Sequence, residues 1–259
     1  MHYSRTLFRK VFSVAYLFFI GVTCALFFCI ACVIRLVTAP FDRRRIITNV
    51  FSAFWASVYI WCMPAWSVRI IGRDKLSLDE NYVLVSNHQS QLDILVLYRL
   101  LFPYRWVSKA AVFNLPFIGW NMRLNGDVRL KRGDKASIST MMARCEALLS
   151  QDVSIFFFPE GTRSRDGRVG PFKPGAFILA QKAGVPIQPV VLNHTRKALP
   201  KHSLTITKHK QMEVRVLDKI PVSRFAHLAP EQVADMVRAE IAAHVHGHNR
   251  PDSSEEPAA

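Results

Sequence analysis

The chain has 259 residues, 50% of them hydrophobic and 20% charged, with 18 Phe. That length suits one or two domains with a sizeable core, and so apolar a composition excludes intrinsic disorder. Thirty-four Lys and Arg stand against 19 Asp and Glu, a formal net charge of +15, which favours anionic partners. A mean hydropathy of +0.13, with no RNP-type, zinc-finger or long basic-region pattern, excludes nucleic acid and leaves an anionic membrane surface or phosphorylated substrates.

From Val11 to Ile34 no residue is charged. About 24 residues at roughly 1.5 Å each would span some 36 Å, enough to cross a hydrocarbon core with tilt. The stretch is too long for a signal peptide and no A-x-A-like site follows it, so it reads as a membrane helix. Arg5, Arg9 and Lys10 precede it, and Arg35 and Arg43–Arg45 follow. With both flanks basic, the positive-inside rule does not set a topology, and a hairpin dipping into one leaflet would satisfy both.

A second apolar stretch, Ile46 to Val68, carries Trp55, Trp61, Trp66, Tyr59, Phe54 and Pro64 among Asn49, Ser52 and Ser57. Trp and Tyr prefer the headgroup level, so the expectation is an interfacial or re-entrant helix, with a core helix of the following domain as the alternative. From about Arg69 strands and helices alternate. Strands are expected at Tyr82–Ser86, Arg105–Ser108, Val153–Phe158, Pro189–Leu192, Leu204–Thr207 and Met212–Leu217. Helices are expected at Leu92–Leu101, Ser137–Leu149, Gly175–Ala183 and Pro230–Val245. This alternation argues for an α/β sheet covered by helices. The expected organisation is therefore membrane-anchoring helices over residues 1–68, an α/β domain over 69–248 and a disordered tail over 249–259.

Five cysteines do not make a disulfide scaffold. Four of them, Cys24, Cys29, Cys32 and Cys62, lie in apolar stretches, and no pair of CxxC motifs has zinc-site spacing. The run His244, His246, His248 reads as a solvated helix end rather than a converging metal site. There is no G-x-S-x-G elbow, P-loop, G-x-G-x-x-G or H-E-x-x-H, so serine-nucleophile, nucleotide and zinc-protease chemistry lack their signals.

Two segments do carry chemistry. In Asn87-His88-Gln89-Ser90-Gln91-Leu92-Asp93 a strand gives way to a helix, the place where α/β folds seat ligands. A helix starting after His88 would let Asp93 reach the imidazole, fix its tautomer and leave the other ring nitrogen as a general base. The plainer alternative makes Asn87 a helix cap and His88 incidental. In Phe157-Phe158-Pro159-Glu160-Gly161-Thr162-Arg163-Ser164 an apolar strand enters a polar loop. There Gly161 lets backbone amides approach a ligand, and Arg163 offers a planar fork for phosphate oxygens. Glu160 could accept from a hydroxyl or orient Arg163. Lys109 and Arg132 could extend a phosphate pocket or simply be solvated. Val185-Pro186-Ile187-Gln188-Pro189-Val190 reads, on its own, as a strand with prolines at its edge.

Together these segments resemble the glycerolipid acyltransferase family, the 1-acyl-sn-glycerol-3-phosphate acyltransferases and their relatives. NHQSQLD is similar to the family's N-H-x4-D block, FPEGTRS to its F-P-E-G-T-R-S block, GDVRLKR to the block ending in Arg, and VPIQPV to the fourth. Lys131 departs from the pattern, because many members carry an acidic residue there. The resemblance spans roughly Arg69 to Leu217. It implies a mixed sheet flanked by helices, the glycerolipid acyltransferase fold, joined to the N-terminal membrane-associated helices by Pro40–Arg45.

The resemblance also implies a reaction. His88, oriented by Asp93, would deprotonate the sn-2 hydroxyl of lysophosphatidic acid for direct attack on acyl-CoA or acyl-carrier protein, with no metal and no cofactor. Lys109, Arg163 and Arg132 would hold the acceptor phosphate. Glu160 and Gly161, with Thr162 beside them, would position the glycerol. The expected product is phosphatidic acid. The competing expectations are the same chemistry on glycerol-3-phosphate, a lysophosphatidylcholine-like lipid or a lyso-aminolipid, or a non-catalytic lipid-binding protein. The expected location is the phospholipid bilayer, with a bacterial inner membrane and a cytoplasmic active site as the specific form.

Overall fold

The N-terminal quarter of the chain sets two apolar helices of different character side by side. A computed structural model describes residues 2–198 and 210–246; the strand expected at Leu204–Thr207, His248 and the 249–259 tail lie outside the described residues. Helix α1 (His2–Thr38) is, among the described residues, the one helix long and apolar enough to cross a membrane. Val14, Phe18, Val22, Leu26 and Val33 are exposed along one side at helical spacing, and only 11% of its most apolar window is buried. Its other side lies on helix α2 (Ile46–Trp61), where the Tyr16 hydroxyl donates to the Tyr59 carbonyl (2.5 Å).

Helix α2 is not a purely interfacial element. Ile47, Val50, Phe54 and Trp61 are exposed, yet Thr48, Asn49, Ser52 and Ser57 are buried against the α/β layer. Asn49 exchanges two hydrogen bonds with the backbone of Tyr104 (2.8 and 3.2 Å), and Ser52 bonds Asn121 and Asn125. Buried polar groups need such partners, and hydrocarbon would supply none. The core-helix alternative therefore describes one face and the interfacial expectation the other. The stretch also stops being helical early, since Trp66–Ile71 is strand β1.

The linker expected to join membrane segment and domain is held from both sides. Asp42 caps α2, accepting from the N–H groups of Ile46 and Ile47 (2.8 and 2.9 Å). The buried Arg105 guanidinium donates to the carbonyls of Arg44 and Arg45. Arg45 in turn donates to the carbonyls of Arg123 and Leu124, which close helix α4 (Ile118–Asn125).

The remaining elements, in chain order, are β2 (Val83–Ser86), α3 (Leu92–Tyr98), β3 (Arg105–Lys109), α4, β4 (Val128–Leu130), α5 (Lys135–Leu149), β5 (Ile155–Phe157), α6 (Gly175–Ala183), β6 (Ile187–Asn193), α7 (Thr195–Ala198), β7 (Lys210–Val216) and α8 (Pro230–His244). The seven strands form one sheet in the order β1-β7-β6-β2-β5-β3-β4. The five strands from β6 to β4 run parallel, while β7 is antiparallel to β6 and carries β1 with it. Their five carboxyl ends thus share one edge.

Both faces of the sheet are covered, which explains why its central strands are continuous apolar runs. Val83, Val85, Ile155 and Phe157 pack with α5, α6 and α8, while Leu84 and Phe156 pack with α2 and α3. Strand β6 is interior, between β7 and β2, so its prolines do not mark an edge. Pro189 is tolerated because a bulge falls there: Val190 pairs with Val216 but Ile187 with Ile220, three steps on β6 against four on its partner.

Candidate active site

Strand β2 ends in an asparagine that behaves as more strand. The Asn87 side chain accepts from the Leu192 N–H (2.8 Å) and donates to the Leu192 carbonyl (2.9 Å), pinning the strand end to β6. It is therefore not the cap of α3, as the plainer reading of this motif had it. The chain then folds over Asp93, whose Oδ2 accepts from the N–H groups of Gln89 (2.6 Å) and Ser90 (2.8 Å) and from Nδ1 of His88 (2.8 Å). The Asp93 carboxylate is fully buried and the His88 ring 15% exposed. A carboxylate accepts, so Nδ1 carries the proton and Nε2 keeps its lone pair, with no hydrogen-bond partner among the described residues.

The loop after β5 holds this histidine in place from its backbone. The His88 N–H donates to Glu160 Oε1 (2.8 Å), and the His88 carbonyl accepts from the Ser164 N–H (2.8 Å). The other Glu160 oxygen accepts from the Gly170 N–H (3.0 Å). Glu160 thus ties three segments together, and no bond from it to Arg163 is among these. Burial raises its pKa above the usual carboxylate range, and the two amide hydrogen bonds oppose that shift. The imidazole lies flat on Phe158, ring centroids 4.0 Å apart, and Phe158 stacks on Trp106 at 5.4 Å. An aromatic platform and two backbone bonds leave the ring little rotational freedom.

The expected cations lie on the same carboxyl edge. Lys109 ends β3, two strands from β2; Arg132 follows β4, three strands away; Arg163 and the exposed Thr162 sit in the loop after β5. At roughly 4.8 Å per strand, Lys109 stands about 10 Å and Arg132 about 14 Å along the sheet from β2. Lys109 and Arg132 are exposed and Arg163 half-buried. Neighbouring Lys131 pairs with Asp134 (3.3 Å), which turns the unusual basic residue of this block away from being a free charge.

Residues 67–193 match the acyltransferase family model. Among curated proteins, the chain is 45% identical over 184 residues to the chloroplastic 1-acyl-sn-glycerol-3-phosphate acyltransferase BAT2 of Brassica napus, covering 70% of this chain and 52% of that one. It is 38% identical over 179 residues to 1-acyl-sn-glycerol-3-phosphate acyltransferase alpha of Homo sapiens, covering 66% and 61%. Residues 67–193 therefore carry an acyltransferase-family domain. It spans about half the length of the plant relatives it matches. Its fold is that of the crystal structure of the 1-acyl-sn-glycerophosphate acyltransferase PlsC from Thermotoga maritima, with a TM-score of 0.71, 22% identity and coverage of 91% of this chain and 95% of that one.

Several residues of the candidate site were not evident in the sequence. Phe158 and Trp106 are ordinary core types by composition, and only the sheet order brings them beneath His88. Gly170 and Lys173 lie after the polar run 162–168 and join the site because their N–H groups bond back, Gly170 to Glu160 and Lys173 to the Pro159 carbonyl (2.9 Å). The sequence signal was Phe172-Lys173-Pro174-Gly175, a basic residue ahead of a helix start, with nothing to say which strand it faced.

Proposed function

We propose that this protein is an acyltransferase that transfers an acyl chain from a thioester to the sn-2 hydroxyl of 1-acyl-sn-glycerol-3-phosphate, giving phosphatidic acid. The observation that carries the reading is the buried Asp93–His88 pair, locked by the F-P-E-G-T-R-S loop and opening on an edge rich in Lys and Arg. The names of the curated relatives point to the same acceptor.

In the reaction, Nε2 of His88 removes the proton from the sn-2 hydroxyl as its oxygen attacks the thioester carbonyl. The Asp93 carboxylate stabilises the imidazolium that forms. The tetrahedral intermediate then expels the thiolate, breaking the C–S bond, and His88 returns the proton to sulfur. General base catalysis of this kind contributes roughly 10²–10⁴-fold, and positioning adds to it. The thioester arrives already activated, so the proposed chemistry needs no metal and no cofactor; acyl-CoA or acyl-carrier protein is a substrate. Lys109 and Arg163 take the acceptor phosphate, with Arg132 at the rim, and Gly161 and Thr162 border the glycerol.

We infer that the protein associates with a membrane through α1, which is long and apolar enough to cross one and whose apolar side faces outward. We place the α/β domain on the membrane face where acyl thioesters are made. The relatives give no support for a bacterial inner membrane in particular, since two are chloroplastic plant proteins.

Detergent-purified protein offered a labelled acyl thioester with lysophosphatidic acid, glycerol-3-phosphate and lysophosphatidylcholine in parallel tests the reading. Label is expected in phosphatidic acid, and His88→Ala should lower turnover roughly 10²–10⁴-fold in folded protein. Label confined to another acceptor would overturn the acceptor, and full activity in the variant would overturn the mechanism.

A further inference from the structure

Gly161 has a left-handed backbone, φ +69°, and a side chain from elsewhere occupies the space a Cβ would take. A Cβ built there would stand 3.1 Å from Nζ, 3.2 Å from Cε and 3.5 Å from Cδ of Lys173. The lysine stem is therefore laid across the glycine, and its ammonium hangs over the loop that carries Glu160 and Arg163. This placement is held at the backbone: the Lys173 N–H bonds the Pro159 carbonyl and the Gly170 N–H bonds Glu160 Oε2, zipping residues 170–173 onto residues 159–160.

The charge is not neutralised there. Of the loop's two acidic residues, Glu160 gives one oxygen to His88 N–H and the other to Gly170 N–H, while Asp166 Oδ1 accepts from the Ser164 hydroxyl and the Arg168 N–H. Among the described residues Lys173 has no ion pair, although Lys75, Lys131, Lys182 and Lys219 all do. An ammonium whose stem is packed across Gly161, on the loop that also carries the half-buried Arg163 with no carboxylate on it, is a preorganised site for a doubly charged anion.

We propose that Lys173 is a phosphate-binding residue of this site, acting with Arg163 on the phosphomonoester of the acceptor, and that Gly161 is glycine chiefly to let the lysine stem cross it. The inference rests on the acyl-transfer reading for its substrate. It changes the task of Gly161, which makes room for a cation rather than touching glycerol itself.

Two measurements separate the inference from that reading. In steady-state assays with lysophosphatidic acid, Lys173→Gln should raise KM for the acceptor about tenfold, with kcat and the KM for the acyl thioester within about threefold, and Lys173→Arg should recover most of the loss. Gly161→Ala, which displaces the lysine, should raise the same KM in the same direction. An unchanged acceptor KM in Lys173→Gln would overturn the inference while leaving the reaction intact. Independently of turnover, calorimetric binding of a short-chain lysophosphatidic acid should weaken about tenfold in Lys173→Gln, while weak binding of short-chain lysophosphatidylcholine should not change. Equal loss for both lipids would make Lys173 a structural residue, and absence of lysophosphatidic acid binding by the unaltered protein would overturn the phosphate site itself.

Discussion

The hydrogen-bonding groups of the site divide into two sets that the protein treats in opposite ways. Asp93, Glu160 and Nδ1 of His88 are all committed to partners inside the protein, at distances from 2.6 to 3.0 Å. Lys109, Arg132, Arg163 and Lys173 have no carboxylate partner among the described residues, whereas six other Lys and Arg do. The first set must be fixed before substrate arrives, because general base geometry tolerates little error. On the proposed function the second set is completed by the acceptor phosphate, and an internal carboxylate would compete with that anion. Variants in the first set should therefore act on kcat or on stability, and variants in the second on acceptor KM.

The sharpest test of the first set is Asp93→Asn. All three bonds at Asp93 converge on Oδ2, while Oδ1 is buried without a partner. An amide oxygen can take the place of Oδ2 and keep the Gln89 and Ser90 N–H groups satisfied, so the fold should survive. What disappears is the negative charge behind the imidazolium. We expect kcat to fall by roughly 10²–10⁴, with the melting temperature within a few degrees and acceptor KM little changed. A large rise in KM at constant kcat would place Asp93 in the second set.

Glu160→Gln should behave differently, because each Glu160 oxygen accepts a separate N–H. A glutamine offers one oxygen and one NH2, and the NH2 faces a donor. One buried amide is left unsatisfied, at a cost of about 1–3 kcal/mol, which in a chain this size lowers the melting temperature by about 3–10 °C. Activity should fall together with stability, since the displaced amide is that of His88 or of the loop behind it.

Outside the site, Asp127 is a carboxyl whose partners do not suffice. Its Oδ1 accepts from the Trp106 N–H (3.0 Å), its Oδ2 is buried and unpartnered, and burial lifts its pKa to about 7 despite the nearby Arg105 charge. The folded state then holds a proton that the unfolded chain has lost between about pH 4 and pH 7, so this residue's contribution to stability declines as pH rises through that window. Asp127→Asn, neutral at every pH, should remove that decline. Thermal unfolding of both proteins from pH 4.5 to 8 measures it, and parallel curves would show that Asp127 is charged throughout.

Legibility in the sequence follows the same division. The alternating strands and helices and the two motifs were readable because each is local: Val153–Phe158 is an apolar run and His88 and Asp93 are five residues apart. Strand β1 was not, because Trp66–Ile71 continues the apolar stretch of α2 without a break in composition. Strand β4 is three residues long, too short for a pattern. The dual face of α2 was hidden for another reason, since Asn49 and Ser52 look like interruptions until Tyr104 and Asn125 are brought to them from far along the chain. Glu160 is legible as a site residue, but its backbone partners are not. Its bond to the His88 amide depends on β2 and β5 being adjacent, which sheet order decides and spacing does not.

The smallest effect belongs to Arg132, and it probes how far the second set extends. Its block is the one that departs from the family pattern, and its strand lies at the end of the sheet, beyond β5 and β3 from His88. An exposed guanidinium about 14 Å along the sheet acts on a bound phosphate mainly through a field that 0.15 M salt screens over about 8 Å. Arg132→Gln should therefore raise acceptor KM less than threefold at physiological ionic strength, with a larger ratio at low salt, whereas the ratio for Lys173→Gln should change less with salt. If Arg132→Gln instead matched Lys173→Gln at every salt concentration, the loop after β4 would have to fold inward over the substrate, and the phosphate site would span the strand ends from β2 to β4.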